Sequence, residues 1–159
     1  MDTISHLLWT FVLSRFLPEV NAYWLMFFAI IPDLPLIPYT LHAVKLYFKG
    51  WSKERIRNTL TPLEKKLYHT THSYFVLAIL TLLMFFVKPD LVIPLLLGWG
   101  LMHITVDVFL HGIGLSVNPF YPITNYEVHG LITWYTNRAF IILNYVFMII
   151  ATGLVIMLG

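Results

Sequence analysis

Gly98-Trp-Gly-Leu-Met-His-Ile-Thr-Val-Asp-Val-Phe-Leu-His-Gly112 is apolar almost throughout, yet it carries His103, Asp107 and His111 at four-residue intervals. On an α-helix, residues four apart lie one above the other on the same face. The spacing therefore predicts a stripe of three metal-ligating or proton-transferring groups inside a greasy helix. Ionisable side chains are expensive in hydrocarbon and face a bundle interior, where partners meet them. The rest of the chain has to supply those partners.

Composition sets the medium. Hydrophobic residues make up 58% and charged residues 11% of the 159 positions, against roughly 25% charged in an average soluble domain. With a mean hydropathy of +0.76, the sequence reads as a single integral membrane domain over residues 1–159. A net charge of +2 is too small to imply nucleic acid as a partner. The absence of cysteine excludes disulfides, thiolate zinc sites and thiol nucleophiles. Met1-Asp-Thr-Ile-Ser-His6 has no basic stretch, and no small-residue cleavage site follows, so it is not read as a removable signal peptide.

Five apolar segments follow in order. Ile4 to Leu17 is short and marginal as a span, and is read as tilted or partly re-entrant. Ala22 to Phe48 is interrupted by Ile31-Pro-Asp-Leu-Pro-Leu-Ile-Pro38, which predicts a kinked or discontinuous helix. Leu67 to Val87 begins with His69, His72 and Ser73; Leu91 to His111 holds the opening stretch; Arg138 to Leu158 is a plain anchoring helix. Of the ten Lys and Arg, seven lie between Lys45 and Lys66, namely Lys45, Lys49, Lys53, Arg55, Arg57, Lys65 and Lys66. By the positive-inside rule this loop is cytoplasmic. With five spans the N-terminus is cytoplasmic too and the C-terminus lies outside. His6, His72, Asp107 and His111 then share the cytoplasmic depth, and the broken helix bearing Asp33 can bend to meet them.

His6, Asp33, His72, His103, Asp107 and His111 together offer imidazole nitrogen and carboxylate oxygen for one divalent ion or two. Such an ion, zinc or else manganese, lowers the pKa of a bound water towards 7. Each residue also has a structural reading. Asp2 is read as the cap of the first helix, Asp33 as an alternative cap, and Ser73 as a side chain bonding back along its own helix. His42, His69 and His129 are read as hydrogen-bonded or exposed. Trp9, Trp24, Trp51, Trp99 and Trp134 mostly fit interfacial belts. Asn118-Pro-Phe-Tyr-Pro122 is read as a rigid loop over the site.

The motifs resemble the predicted membrane-bound metal-dependent hydrolases, the YdjM-like family. Those that carry the likeness are Met1-Asp-Thr-Ile-Ser-His6, Ile31-Pro-Asp33, Thr71-His-Ser73, Gly100-Leu-Met-His-Ile-Thr-Val-Asp107 and Asn118-Pro-Phe-Tyr-Pro122. They cover residues 1 to about 134 in the family's order. The resemblance implies metal ligands at His6, Asp33, His72, His103 and Asp107. Many members carry His-Arg where this chain has Leu67-Tyr68, so a phosphate-binding arginine is missing there. The His-x-x-x-Asp spacing is more distantly similar to zinc-dependent phospholipase C proteins.

The expectation is an all-α polytopic membrane protein with a buried polar metal site in a core of residues 1–134, anchored by the helix over 138–158. Its expected activity is metal-dependent hydrolysis of a phosphoester or ester in a lipid or amphiphile, in the cytoplasmic membrane of a prokaryote. His6, Asp33, His72 and His103 act as ligands, Asp107 as ligand or orienting carboxylate, and His111 or His69 as a further ligand or general acid. The alternatives are a small metal or proton transporter and a non-enzymatic membrane subunit.

Overall fold

A computed structural model describes residues 1–52, 55, 56, 58–112 and 116–158; Lys53 and Arg57 of the basic loop lie outside the described residues. Among the described residues the regular structure is helical, apart from one bridge between Val117 and Val128. The helices are α1 (Thr3–Ser14), α2 (Ala22–Ile30), α3 (Ile37–Phe48), α4 (Pro62–Thr71), α5 (Tyr74–Val87), α6 (Pro89–Leu110) and α7 (Arg138–Leu158).

Three stretches are long and apolar enough to cross a membrane: Ala22–Phe48, Pro89–Leu110 and Arg138–Leu158. The pair α4 and α5, bent by 57° at their junction, makes a fourth if counted as one broken span. The chain is thus an integral membrane protein with three or four spans among the described residues, one or two fewer than the five apolar segments expected as spanning or partly re-entrant. The difference lies in α1. Its 12 residues reach about 18 Å at 1.5 Å per residue, well short of a hydrocarbon core about 30 Å thick.

Local chemistry sets the helix ends. The Asp2 carboxylate accepts from the Ser5 N–H at 2.9 Å and caps α1 as expected. Asn21 caps α2, and Thr61 with Glu64 forms a capping box at the head of α4. Caps of this kind contribute about 0.5–2 kcal/mol each. Between α2 and α3 the chain winds as a 3-10 helix over Ile31–Leu36, where Pro32 and Pro35 withhold two N–H donors. Asp33 does not cap a helix; its carboxylate accepts from Thr3 Oγ1 at 2.6 Å.

The break between α4 and α5 falls at His72 and Ser73. Ser73 caps α5 by accepting from the Phe75 and Val76 N–H groups, and donates its hydroxyl to the Tyr121 carbonyl at 2.6 Å. The Tyr74 N–H turns to the Pro119 carbonyl at 2.8 Å. The loop containing Asn118 to Pro122 thus lies against the break and satisfies the backbone that the break exposes.

Helix α6 is wound as a π-helix over Leu96–Thr105 before returning to α geometry at Val106–Leu110. It forms the middle of the bundle: Phe28, Leu77, Leu91, Leu95, Trp99 and Ile104 make one buried apolar cluster. Gly98 lets α2 approach, since a Cβ there would lie 2.4 Å from the Leu25 carbonyl oxygen. Trp99 is buried and donates to the Thr71 carbonyl at 2.7 Å, and the half-buried Trp9 donates to Asn144 Oδ1 at 2.9 Å.

Candidate metal centre

Four imidazoles and a carboxylate meet in the bundle. His6 from α1, His72 from the α4–α5 break, and His103 and Asp107 from α6 are fully buried, and His111 just beyond α6 is nearly so. Asp33, on the 3-10 turn, is the partly open member. Helix periodicity, the proline break and the polar break each deliver one piece, and the six positions singled out from the sequence come together.

The second nitrogen of each ring decides what the site can do. His6 Nδ1 lies 2.7 Å from the Met102 carbonyl, His72 Nδ1 2.9 Å from the Tyr68 carbonyl, and His103 Nδ1 2.7 Å from the Ala29 carbonyl. A carbonyl only accepts, so each Nδ1 carries its proton and donates, and a neutral ring is left with a lone pair on Nε2. The Ala29 carbonyl suits this role because in the i→i+3 register its counterpart is Pro32, which has no N–H. His111 differs: its Nδ1 lies 2.7 Å from the Tyr68 hydroxyl, which can accept or donate.

The Nε2 atoms converge on Asp107. His72 Nε2 and His103 Nε2 are 3.0 Å apart, and lie 3.3 and 3.6 Å from Asp107 Oδ2. Donors bound at about 2.1 Å around one tetrahedral ion stand roughly 3.4 Å from each other, so the three atoms form one face of such a site. Asp107 Oδ2 is buried and has no hydrogen-bond partner among the described residues. Lone pairs facing one another around an orphaned carboxylate oxygen are costly without positive charge between them. The donor set therefore fits a divalent cation. Asp33 Oδ1 stands 3.6 Å from His103 Nε2 as a further donor, with Thr3 orienting the carboxylate. His6 Nε2 and His111 Nε2 lie 3.1 and 3.4 Å from the other oxygen, Asp107 Oδ1. The amino group of Met1 also lies against Oδ1 and is 2.8 Å from His111 Nε2.

A cavity of about 190 Å³ opens beside the cluster, and its lining includes Asp33, Tyr68, His111, Leu36, Tyr39 and Trp134. His69 stays out of the cluster, its ring lying 5.5 Å from that of Tyr68 and 5.9 Å from that of Tyr121. His42 and His129 are exposed.

Sequence reasoning missed Tyr68. It was visible only as a departure from a motif, yet it holds His72 through its carbonyl, holds His111 through its hydroxyl, and lines the cavity. Its position four residues before His72, on the same helical face, was the available signal. A second network was missed at the root of α1. Asn144 Nδ2 donates to Ser5 Oγ at 3.0 Å, and the hydroxyls of Ser5 and Tyr145 donate to the Asp2 carboxylate at 2.8 and 3.1 Å. Comparison with protein-family models, curated proteins and solved structures gives no match for this chain.

Proposed function

We propose that this protein is a membrane-embedded metal-dependent hydrolase acting on a phosphoester or ester bond of a lipid or amphiphile. One observation carries the reading: three buried donors at tetrahedral spacing lie in a cluster whose neighbours Asp33 and His111 line a largely apolar cavity. A zinc or manganese ion there would supply water acidified towards neutral pH and a Lewis acid for the scissile group. His72, His103 and Asp107 would hold it, or else His6, Asp33 and His103, the other triad that shares His103. The backbone carbonyls of Tyr68 and Ala29 fix the His72 and His103 rings, so the site is organised before substrate arrives. Leu36, Tyr39 and Trp134 would receive the apolar part of the substrate.

The ordered motifs that resemble YdjM-like hydrolases point the same way. The basic residues between Lys45 and Lys66 argue that this loop faces the cytoplasm. The test is hydrolysis of bis(p-nitrophenyl) phosphate and p-nitrophenyl butyrate by metal-loaded protein in detergent, wild type beside Asp107→Ala. We expect turnover that disappears in the variant together with bound metal. Metal and activity both intact in Asp107→Ala would end the proposal.

A second reading, a metal or proton transporter, gains from the number of interrupted helices. The 3-10 turn at Ile31–Leu36 and the break at His72 both meet at the site, and discontinuous helices mark transport sites. Uptake of zinc into proteoliposomes, lost with His103→Ala, would favour this reading; no uptake alongside ester turnover would favour the enzyme.

A further inference from the structure

The positive charge of this chain is gathered in one place. Residues 45–66 hold seven of the ten basic residues and two of the eight acidic ones, Glu54 and Glu64. This loop therefore carries a net +5, and the remainder of the chain a net −3. Lys45, Lys49, Arg55, Lys65 and Lys66 are among the described residues; each is exposed, and none is ion-paired with a described residue. Glu64 is engaged by the Thr61 N–H and hydroxyl, each at 2.7 Å, rather than by a lysine. Lys45 and Lys49 lie four residues apart on the last turns of α3, where Leu41, Val44 and Phe48 are exposed too. Apolar side chains on the outside of a spanning segment face acyl chains, and lysines at its end reach for the headgroups. The loop continues in the same chemistry: the Arg55 guanidinium lies 3.9 Å from the centre of the Trp51 ring, a cation on an aromatic of the kind that membrane interfaces favour.

We propose that the segment joining α3 to α4 is a docking surface for anionic phospholipid headgroups, in the leaflet against which α3 ends. Orientation in a membrane needs only the count of basic residues. An exposed, aromatic-flanked cluster at the end of a span also offers several lipid phosphates a common surface. The same segment forms part of the cavity wall. Ile56 is buried, its carbonyl lies 3.5 Å from the Tyr39 hydroxyl, and Leu60 lines the cavity with Tyr39 and Thr40. Headgroups held on the loop thus keep the cavity beside the lipid surface. The inference stands apart from the metal centre and from the hydrolase reading.

The experiment exchanges detergent-purified protein into micelles holding equal amounts of phosphatidylglycerol and phosphatidylcholine, repurifies it, and counts the retained lipids by mass spectrometry. In about 0.1 M salt the wild type should retain phosphatidylglycerol over phosphatidylcholine by about tenfold. The preference should shrink in about 1 M salt, where the screening length falls from about 10 Å to about 3 Å. Joint replacement of the loop residues, Lys45→Gln, Lys49→Gln, Arg55→Gln, Lys65→Gln and Lys66→Gln, should bring it to about twofold or less. Arg15→Gln, Lys88→Gln and Arg138→Gln together should leave it unchanged. No preference in the wild type overturns the proposal and leaves the loop as an orientation signal or a surface for an acidic protein. A preference that survives the loop variant, or that disappears with the three outlying residues, overturns it as well. Every replaced side chain is exposed; if the loop variant nonetheless fails to fold, the salt response and the outlying variant decide the matter.

Discussion

Helices α6 and α7 are both long and apolar enough to cross a bilayer, yet half of the apolar window of α6 is buried in the protein and only 6% of that of α7 is. The more uniform helix is the one that meets lipid. In α6 the apolar residues pack against protein and the polar ones project into a shared site, so its winding departs from regularity. Among the described residues, α7 meets the protein through the buried Met148 and through the polar contacts of Asn144 and Tyr145 with the root of α1. Hydrophobicity puts both helices in the membrane; the placement of small and polar side chains decides which one becomes the middle of the bundle.

The contrast can be broken in steps. Gly98→Leu should cost about 3 kcal/mol or more, because the new side chain meets the Leu25 carbonyl and the Ala29 N–H of α2. Reversible unfolding in mixed micelles measures it, and a cost below about 1 kcal/mol would mean that α2 and α6 do not pack as closely as described. Tyr68→Phe removes the hydroxyl that holds His111, whose Nε2 lies 3.4 Å from Asp107 Oδ1, and should weaken metal binding about 10-fold, the usual effect of loosening a partner behind a ligand. Competition with a chromophoric chelator reads this out, and an unchanged affinity would remove Tyr68 from the centre. Asn144→Leu should cost about 1 kcal/mol, two interhelical hydrogen bonds at about 0.6 kcal/mol each, with metal content unaltered. Loss of metal in that variant would show that α7 shapes the site and is more than an anchor. Gly153→Ala should be the mildest change and stabilise by about 0.5 kcal/mol, since a Cβ there meets nothing within 4 Å. A destabilisation would reveal a partner surface on α7.

The candidate ligands were legible in the sequence because ionisable residues in apolar segments have few tolerable positions. His103, Asp107 and His111 follow helical spacing, and the prolines around Asp33 announce a break. What could not be read depends on groups far away in the chain. The bend at His72 and Ser73 exists because the Pro119 and Tyr121 carbonyls are there to take the freed donors. The π winding of α6 goes with the close approach of α2 at Gly98, a tertiary contact that no local propensity reports. Trp99 looked interfacial because composition cannot tell that the Thr71 carbonyl lies 2.7 Å from its ring nitrogen. The shortness of α1 and the ligand His6 that it carries were both visible in the sequence; its ties to Asn144 and Tyr145 of α7 were not.

The central claim is that the buried imidazoles and Asp107 form a metal centre, and elemental analysis of detergent-purified protein tests it most directly, wild type beside His103→Ala. The account predicts at least one equivalent of zinc or manganese per wild-type chain and its loss in the variant, with both proteins folded. Folded protein that holds no metal, even after reconstitution, would contradict the account and leave a polar packing network or a proton path in its place.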